Sequence, residues 1–281
     1  KFRNEQFSIH PEYESMAAGE VNAKIDAALQ AAKNLDPAGF AANQVADIEI
    51  IRNPYAILGV VVLFMFTIFL LKKMPDTGNR GSHINPMDSA KRLFKNRSWK
   101  EGVIAQTFYV AAQITCWTFI IQYAMENVSG MTMSKAQNYN IGAMALFLVS
   151  RFVCTFLLKY FSPGKLLMQL STLAAILMLF TIFLQNYVGL LCLVGISGCM
   201  SLMFPTIYGI ALKGTGDDAK IGSAGLVFAI VGGALMPLAM GFIMDSDGLG
   251  FLNAVSLSFF MPFISFVVIA SFGFRTYKAT N

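Results

Sequence analysis

Two cationic side chains interrupt an otherwise apolar run, a setting in which ionisable groups usually carry function. Arg151 lies near the midpoint of the run 139–162, and Thr155 and Lys159 follow it at intervals of four residues. An unpaired arginine at the centre of a bilayer costs at least about 2.5–3.5 kcal/mol, so this helical face must contact protein or a wet cavity. Arg151 either contacts a substrate in a cavity, which we prefer, or ties two helices together through carbonyl oxygens.

A second polar face lies in the preceding run, 102–125. It consists of Gln106, Tyr109, Gln113 and Trp117, which recur at helical spacing. Amides and hydroxyls can hydrogen-bond the hydroxyls of a sugar, and an indole ring can stack on the C–H face of a pyranose. The combination is typical of a sugar site. Glutamines also hold helices together in lipid, so helix packing is the alternative explanation.

A third face lies in the run 188–212, where Pro205 is expected to kink the helix. Its members are Ser197, Ser201, Phe204 and Tyr208. The next run contains residues that let backbones approach closely and bend, namely Gly222, Gly225, Gly232, Gly233 and Pro237. Transporters that rock between two states need such helices, but close packing in a rigid protein explains the pattern equally well.

Seven long apolar runs must position these side chains. They are 54–71, 102–125, 139–162, 166–186, 188–212, 221–244 and 249–274. At a rise of about 1.5 Å per residue, roughly 20 residues cross the hydrocarbon core, so each run is predicted to be a membrane span. Hydrophobic residues make up 56% of the chain, which excludes an ordinary soluble domain. The predicted fold class is an all-α integral membrane protein.

The distribution of positive charge predicts the orientation. Lysines and arginines are concentrated in alternate loops, at Lys72, Lys73, Arg80, Lys91, Arg92, Lys95, Arg97, Lys100, Lys159, Lys165, Lys213, Lys220, Arg275 and Lys278. The positive-inside rule therefore places the basic linker 72–101 and the tail 275–281 in the cytoplasm. The segment 1–53 is then an extracytoplasmic loop, in which apolar residues at helical spacing over 21–35 predict a short amphipathic helix.

The sequence lacks the residues that several kinds of chemistry require. Aspartates, glutamates and the two histidines all lie outside the predicted spans, so these spans offer no proton relay. We find no P-loop and no metal-ligand spacing, and the cysteines Cys116, Cys154, Cys192 and Cys199 are expected to be packing residues. The net charge of +5 is explained by its distribution along the membrane loops. We therefore expect no enzymatic activity, no cofactor, no metal and no nucleic-acid partner.

The chain resembles the L-fucose permeases, sugar/proton symporters of the fucose-galactose-hexose group in the major facilitator superfamily. The resemblance rests on the segment 104–124, IAQTFYVAAQITCWTFIIQYA, and on Ser150-Arg151-Phe152, Ser162-Pro163-Gly164-Lys165, Phe204-Pro205-Thr206-Ile207 and Met240-Gly241-Phe242. It implies twelve helices in two bundles of six. This chain would contain helix six (54–71), the central linker and helices seven to twelve, and its partner would be the N-terminal bundle of the same protein. The sequence opens without an initiating methionine, which suggests a start within a longer protein.

The resemblance also implies roles for individual residues. Arg151 matches the family's cavity arginine on helix eight, and Gln113 and Trp117 match polar and aromatic positions of helix seven. Phe204 stands where fucose permeases have a tyrosine, with Tyr208 as the candidate replacement one turn later. Gln106 completes the predicted substrate-binding set.

The implied function is symport of L-fucose and protons across a bacterial inner membrane, with glucose or galactose as the alternative sugar. The family's proton-carrying acids lie on helices that this chain does not contain. A membrane sensor or scaffold that does not transport is the rival from another class.

Overall fold

The computed structural model describes residues 9, 10, 12, 18–71, 86–246 and 248–280. Apart from a single bridge between Leu249 and Leu252, regular secondary structure in these residues is helical. The chain separates into two compact units, 1–83 and 84–281. The first part of the predicted linker 72–101, residues 72–85, lies outside the described residues, as does Asn281 of the predicted tail.

The first unit contains two helices, α1 (Ala18–Leu35) and α2 (Pro37–Leu71). The helix predicted from the spacing over 21–35 is present as α1. The predicted span 54–71 is the second half of α2, because this helix begins at Pro37 and passes through Pro54 without ending. Residues 37–53 of the predicted loop are therefore helical. The Asp36 carboxylate accepts a hydrogen bond from the Gly39 N–H at 2.9 Å and so caps the start of α2.

The apolar part of α2 has the character of a membrane helix. It extends from Arg52 to Ile68, which is shorter than the other candidate spans. Large apolar side chains are exposed along it, including those of Ile57, Leu63 and Phe66. A helix that is apolar on every side is stable only inside a protein or a bilayer. Its crossing of the membrane stays a prediction.

The second unit is a bundle of helices. Its α-helices are α3 (Pro86–Lys95), α4 (Arg97–Asn127), α5 (Met133–Leu157), α6 (Pro163–Leu184), α7 (Tyr187–Met200), α8 (Met203–Leu212), α9 (Ala219–Phe228), α10 (Gly232–Met244), α11 (Ala254–Ser258) and α12 (Phe260–Thr280). Six segments within the described residues are long and apolar enough to cross a membrane. They are α4, α5, α6, α7 with α8, the 3-10 helix Gly216–Asp218 with α9 and α10, and α11 with α12. The all-α membrane fold is confirmed.

Helix α4 lies at the centre of this unit and packs against α5, α7, α8, α10 and α12. Its buried face includes Tyr109, Cys116, Ile120 and Tyr123, which repeat at helical spacing. The four cysteines are free thiols, and Cys116, Cys154 and Cys199 are buried, as a packing role predicts.

Small residues let the other helices approach α4. A Cβ built on Gly232 of α10 would lie 2.3 Å from the Thr107 carbonyl oxygen, and one built on Gly102 would lie 2.3 Å from the Ala211 Cβ. The backbones are too close at these points for any side chain. Of the two explanations for the glycine pattern, close packing is therefore realised at Gly232.

Candidate functional site

At the predicted kink before Pro205 the helix has a break of two residues, Ser201 and Leu202, which keep right-handed helical backbone angles. Helix α7 ends at Met200 and α8 begins at Met203, two residues before the proline. Proline has no N–H group, so it cannot donate to the carbonyl four residues earlier, which belongs to Ser201. That carbonyl oxygen is left for another donor.

Arg151 supplies the donor. Its Nε donates to the Ser201 carbonyl oxygen at 3.2 Å. The guanidinium carbon also lies 5.1 Å from the centroid of the Phe147 ring, one turn earlier on α5, in a cation–π contact. The side chain is thus held by one nitrogen and one ring face, and the structure gives its two terminal nitrogens no partner among the described residues. Those nitrogens can donate to a ligand.

The surroundings of Arg151 differ from the prediction in two ways. Helix α5 covers Met133–Leu157, so Arg151 lies in its second half, and Lys159 lies beyond its end. Thr155 donates its hydroxyl to the Arg151 carbonyl at 2.6 Å and is exposed. The predicted polar stripe of Arg151, Thr155 and Lys159 is therefore reduced to the arginine. The helix ends before Lys159, and the Thr155 hydroxyl is bonded to the backbone of its own helix.

Trp117 is half-buried beside the same break. Its indole Nε1 donates to the Ser197 hydroxyl of α7 at 3.2 Å. The indole ring meets the Phe147 ring edge to face, with centroids 5.0 Å apart. Trp117, Phe147 and Arg151 therefore form a continuous line of contacts from α4 to α5.

A second aromatic row lies on α8. The rings of Phe204 and Tyr208 are stacked with centroids 6.2 Å apart and planes 12° apart, and both side chains are half-buried. Tyr109 meets Phe204 edge to face at 6.0 Å. The buried Tyr109 hydroxyl donates to the Met200 carbonyl oxygen, at the end of α7, at 3.1 Å. Tyr109 and Arg151 thus donate to the carbonyl oxygens of two consecutive residues at the break, Met200 and Ser201.

The two predicted glutamines differ in burial. Gln113 is half-buried, whereas Gln106 is fully buried and both polar atoms of its side chain lack partners in the described structure. The hydroxyls of Ser201 and Thr206 are also buried without partners. Buried polar groups of this kind normally bind internal water. In this conformation the Gln106 amide does not reach the surface on which the other predicted residues lie.

Sequence reasoning missed Phe147. It contacts both Trp117 and Arg151, yet it is one of many phenylalanines in apolar runs. The only available signal was its position four residues before Arg151, which places the two side chains on the same helical face.

The chain is similar to two bacterial transporters and to one solved structure. An L-fucose-proton symporter of Haemophilus influenzae is 48% identical over 233 residues, covering 83% of this chain and 54% of that protein. A glucose/galactose transporter of Brucella abortus is 29% identical over 229 residues, covering 81% and 54%. The crystal structure of FucP, a Major Facilitator Superfamily transporter in the outward conformation, gives a TM-score of 0.71 at 34% identity and covers 80% of this chain and 54% of that one.

This chain belongs to the major facilitator superfamily. The resemblance to L-fucose permeases in the sequence is thereby confirmed, although no family model matches the chain. The chain spans about half the length of the curated relatives it matches. That share fits the C-terminal half of a major facilitator protein.

A separate set of polar contacts stabilises one end of this major facilitator bundle. Arg92 of α3 binds the Asp218 carboxylate through two nitrogens, at 2.6 and 2.8 Å, and donates to the buried Ser89 hydroxyl at 3.0 Å. Trp99 of α4 donates its indole N–H to the Gly222 carbonyl oxygen at 3.1 Å. The Arg92 contacts attach the short helix α3 to the segment between α8 and α9, and the Trp99 contact attaches α4 to α9.

The Arg92–Asp218 pair predicts a pH effect. Asp218 lies before the predicted span 221–244, and the hydrogen bonds from Arg92 and then from Ser89 lower the pKa of its carboxyl group to about 2, below the usual value of about 3.9. A carboxyl with a lowered pKa stabilises the folded state above its unfolded pKa, and this stabilisation is lost as pH falls from about 4 through 2. Asp218→Asn should lower the thermal midpoint slightly at pH 5 and remove this part of the acid sensitivity. Thermal unfolding between pH 5 and 2 measures both, with Asp217→Asn as the control. Equal pH profiles for the two variants would contradict a role for the pair.

Proposed function

We propose that the chain is the C-terminal half of an L-fucose-proton symporter that works by alternating access. The protein would lie in a bacterial inner membrane with its C-terminus in the cytoplasm, as the lysines and arginines of alternate loops favour. The observation that carries the proposal is the geometry of Arg151. It is fixed at one nitrogen beside an aromatic pair, and its two terminal nitrogens remain as donors.

In this proposal the sugar lies near the midplane, between this bundle and the N-terminal one. The Arg151 terminal nitrogens donate to sugar hydroxyls, since guanidinium carries five N–H donors and only one is in use here. Trp117 offers part of its ring as a stacking surface, and Gln113 and Tyr208 supply further donors and acceptors. Phe204 packs against one face of the Tyr208 ring, as the stacked geometry favours.

In this proposal the protons bind to the N-terminal bundle of the full-length protein. The predicted spans of this chain contain no aspartate, glutamate or histidine, and a proton relay in a membrane is built from such groups. This chain would then contribute sugar contacts and one wall of the alternating cavity. The relatives named as symporters support transport over the rival of a sensor or scaffold that does not transport.

Uptake of labelled L-fucose tests the proposal. Cells that express the full-length protein should accumulate L-fucose, and a proton uncoupler should reduce the accumulation to the level of cells without the protein. Equal amounts of membrane protein in both conditions serve as the control. Accumulation that resists the uncoupler would contradict proton coupling, and no uptake from abundant protein would contradict L-fucose as the substrate.

Glucose or galactose is the second candidate substrate. It is favoured by the relative from Brucella abortus, a glucose/galactose transporter, and by Phe204, which has no hydroxyl at a position where the resemblance to fucose permeases implies one. Competition of unlabelled hexoses against labelled L-fucose separates the two. Stronger competition by glucose or galactose than by L-fucose itself would favour the second candidate.

A further inference from the structure

A basic cavity lies at the end of the bundle that carries the C-terminus. Its volume is about 370 Å³, and it is lined by the start of α4 and by the ends of α8 and α12. Three cationic residues line it, Arg97, Lys213 and Arg275, against one carboxylate, that of Glu101. Three positive charges less one negative charge leave a net charge of +2. The candidate sugar face is built from other residues.

The single carboxylate holds the two arginines in place. Glu101 Oε1 accepts a hydrogen bond from Arg97 Nε at 2.9 Å and another from Arg275 Nη1. The two arginine side chains are 77% and 44% exposed, so their remaining N–H groups reach the opening of the cavity. Lys213 is exposed at the end of α8, and no ion pair is formed by it among the residues that the structure describes. The three cationic side chains can therefore bind an anion at the opening of the cavity.

An apolar groove of about 270 Å³ adjoins this cavity. The two share Ile210, Lys213 and Thr276, so the cationic lining of one continues into the other. The rest of the groove is mainly apolar and includes Leu158, Pro205 and Gly209. A ligand that fits both spaces has an anionic group and a hydrocarbon chain within a few ångströms of each other.

We propose that this double cavity binds an anionic phospholipid. Its phosphate lies between Arg97, Lys213 and Arg275, and one acyl chain lies in the groove. Arginine forks and lysine are the usual ligands of phosphate, and basic pockets between membrane helices bind anionic headgroups. A soluble phosphate needs only the basic cavity, so the adjoining groove favours the lipid. The site is independent of the sugar and of the proposed transport function.

Native mass spectrometry of the full-length protein in detergent tests the site, with dioctanoyl-phosphatidylglycerol as the anionic probe. We expect saturable 1:1 binding, and binding of dioctanoyl-phosphatidylcholine that is weaker by about tenfold or more, since its headgroup carries the same phosphate but adds a choline cation, which the net positive charge of the cavity repels. Lys213→Gln should weaken phosphatidylglycerol binding by about tenfold. The control is Lys220→Gln, which removes an exposed lysine that lines neither space and should bind like the unaltered protein.

A steric variant distinguishes a lipid from free phosphate. A Cβ built on Gly209 meets no atom within 4 Å, so Gly209→Leu fills the groove without disturbing the helix. It should weaken phosphatidylglycerol binding and leave the binding of inorganic phosphate unchanged. Equal affinity for the two lipids, or a Lys213→Gln variant that binds like Lys220→Gln, would overturn the site. Inorganic phosphate that binds as tightly as the lipid, with no effect of Gly209→Leu, would overturn the lipid assignment.

Discussion

Replacing Arg151 with lysine in the full-length protein should reduce L-fucose uptake about a hundredfold while leaving the amount of folded protein nearly unchanged. Lysine keeps the positive charge but has a single ammonium group, which cannot bind the Ser201 carbonyl and a sugar with the fixed fork of a guanidinium. Charge-assisted hydrogen bonds contribute about 1.5–3 kcal/mol each, and the loss of two such bonds reaches this factor. Initial uptake rates, divided by the amount of protein in the membrane, measure the effect.

The control and the second variant separate binding from structure. Lys159→Gln removes the next cation along the chain, which lies beyond the end of α5, and should leave uptake unchanged. Arg151→Ala should abolish uptake and also remove the bond to Ser201. If both Arg151 variants lose folded protein in proportion to uptake, the arginine ties the helices together and does not contact sugar.

Six of the seven spans could be predicted from the sequence, because length and apolar character mark them. Their ends could not. The helix predicted from Pro54 begins at Pro37, since a helix can continue past the edge of a membrane through polar residues, where no change in hydropathy marks its start. The missing N–H of proline is a local property, so the sequence predicted a kink at Pro205. It did not show that the helix would be broken at Ser201 and Leu202.

The hydrogen-bond partners and the burial of the site residues depend on tertiary packing, so they could not be predicted from the sequence. Spacing placed Arg151 on a polar face, but the choice of the Ser201 carbonyl follows from how α5 crosses the break between α7 and α8. Gln106 and Gln113 share a helical face and a residue type, yet only Gln106 is fully buried. The difference arises because neighbouring helices cover one turn of α4 and leave the other partly open.

Gly232 should be the least replaceable glycine of α10. We expect Gly232→Ala in the full-length protein to prevent most of it from folding, because the new Cβ would lie 2.3 Å from the Thr107 carbonyl oxygen and 2.7 Å from the Thr107 Cγ2. Backbone atoms of α4 cannot move aside as a flexible side chain can. Overpacking of this kind typically costs about 1–3 kcal/mol, and more where backbone must shift. Size-exclusion chromatography of detergent-solubilised protein measures the folded fraction.

The matched control lies on the same helix. A Cβ built on Gly241 meets no atom within 4 Å, so Gly241→Ala adds only the higher helix propensity of alanine, worth about 0.8–1 kcal/mol. It should fold as well as the unaltered protein or better. Because the two substitutions are chemically identical and differ only in their surroundings, equal folded fractions would mean that α10 and α4 are not in close contact. The glycine pattern would then serve the bending of α10, the other explanation that the sequence left open.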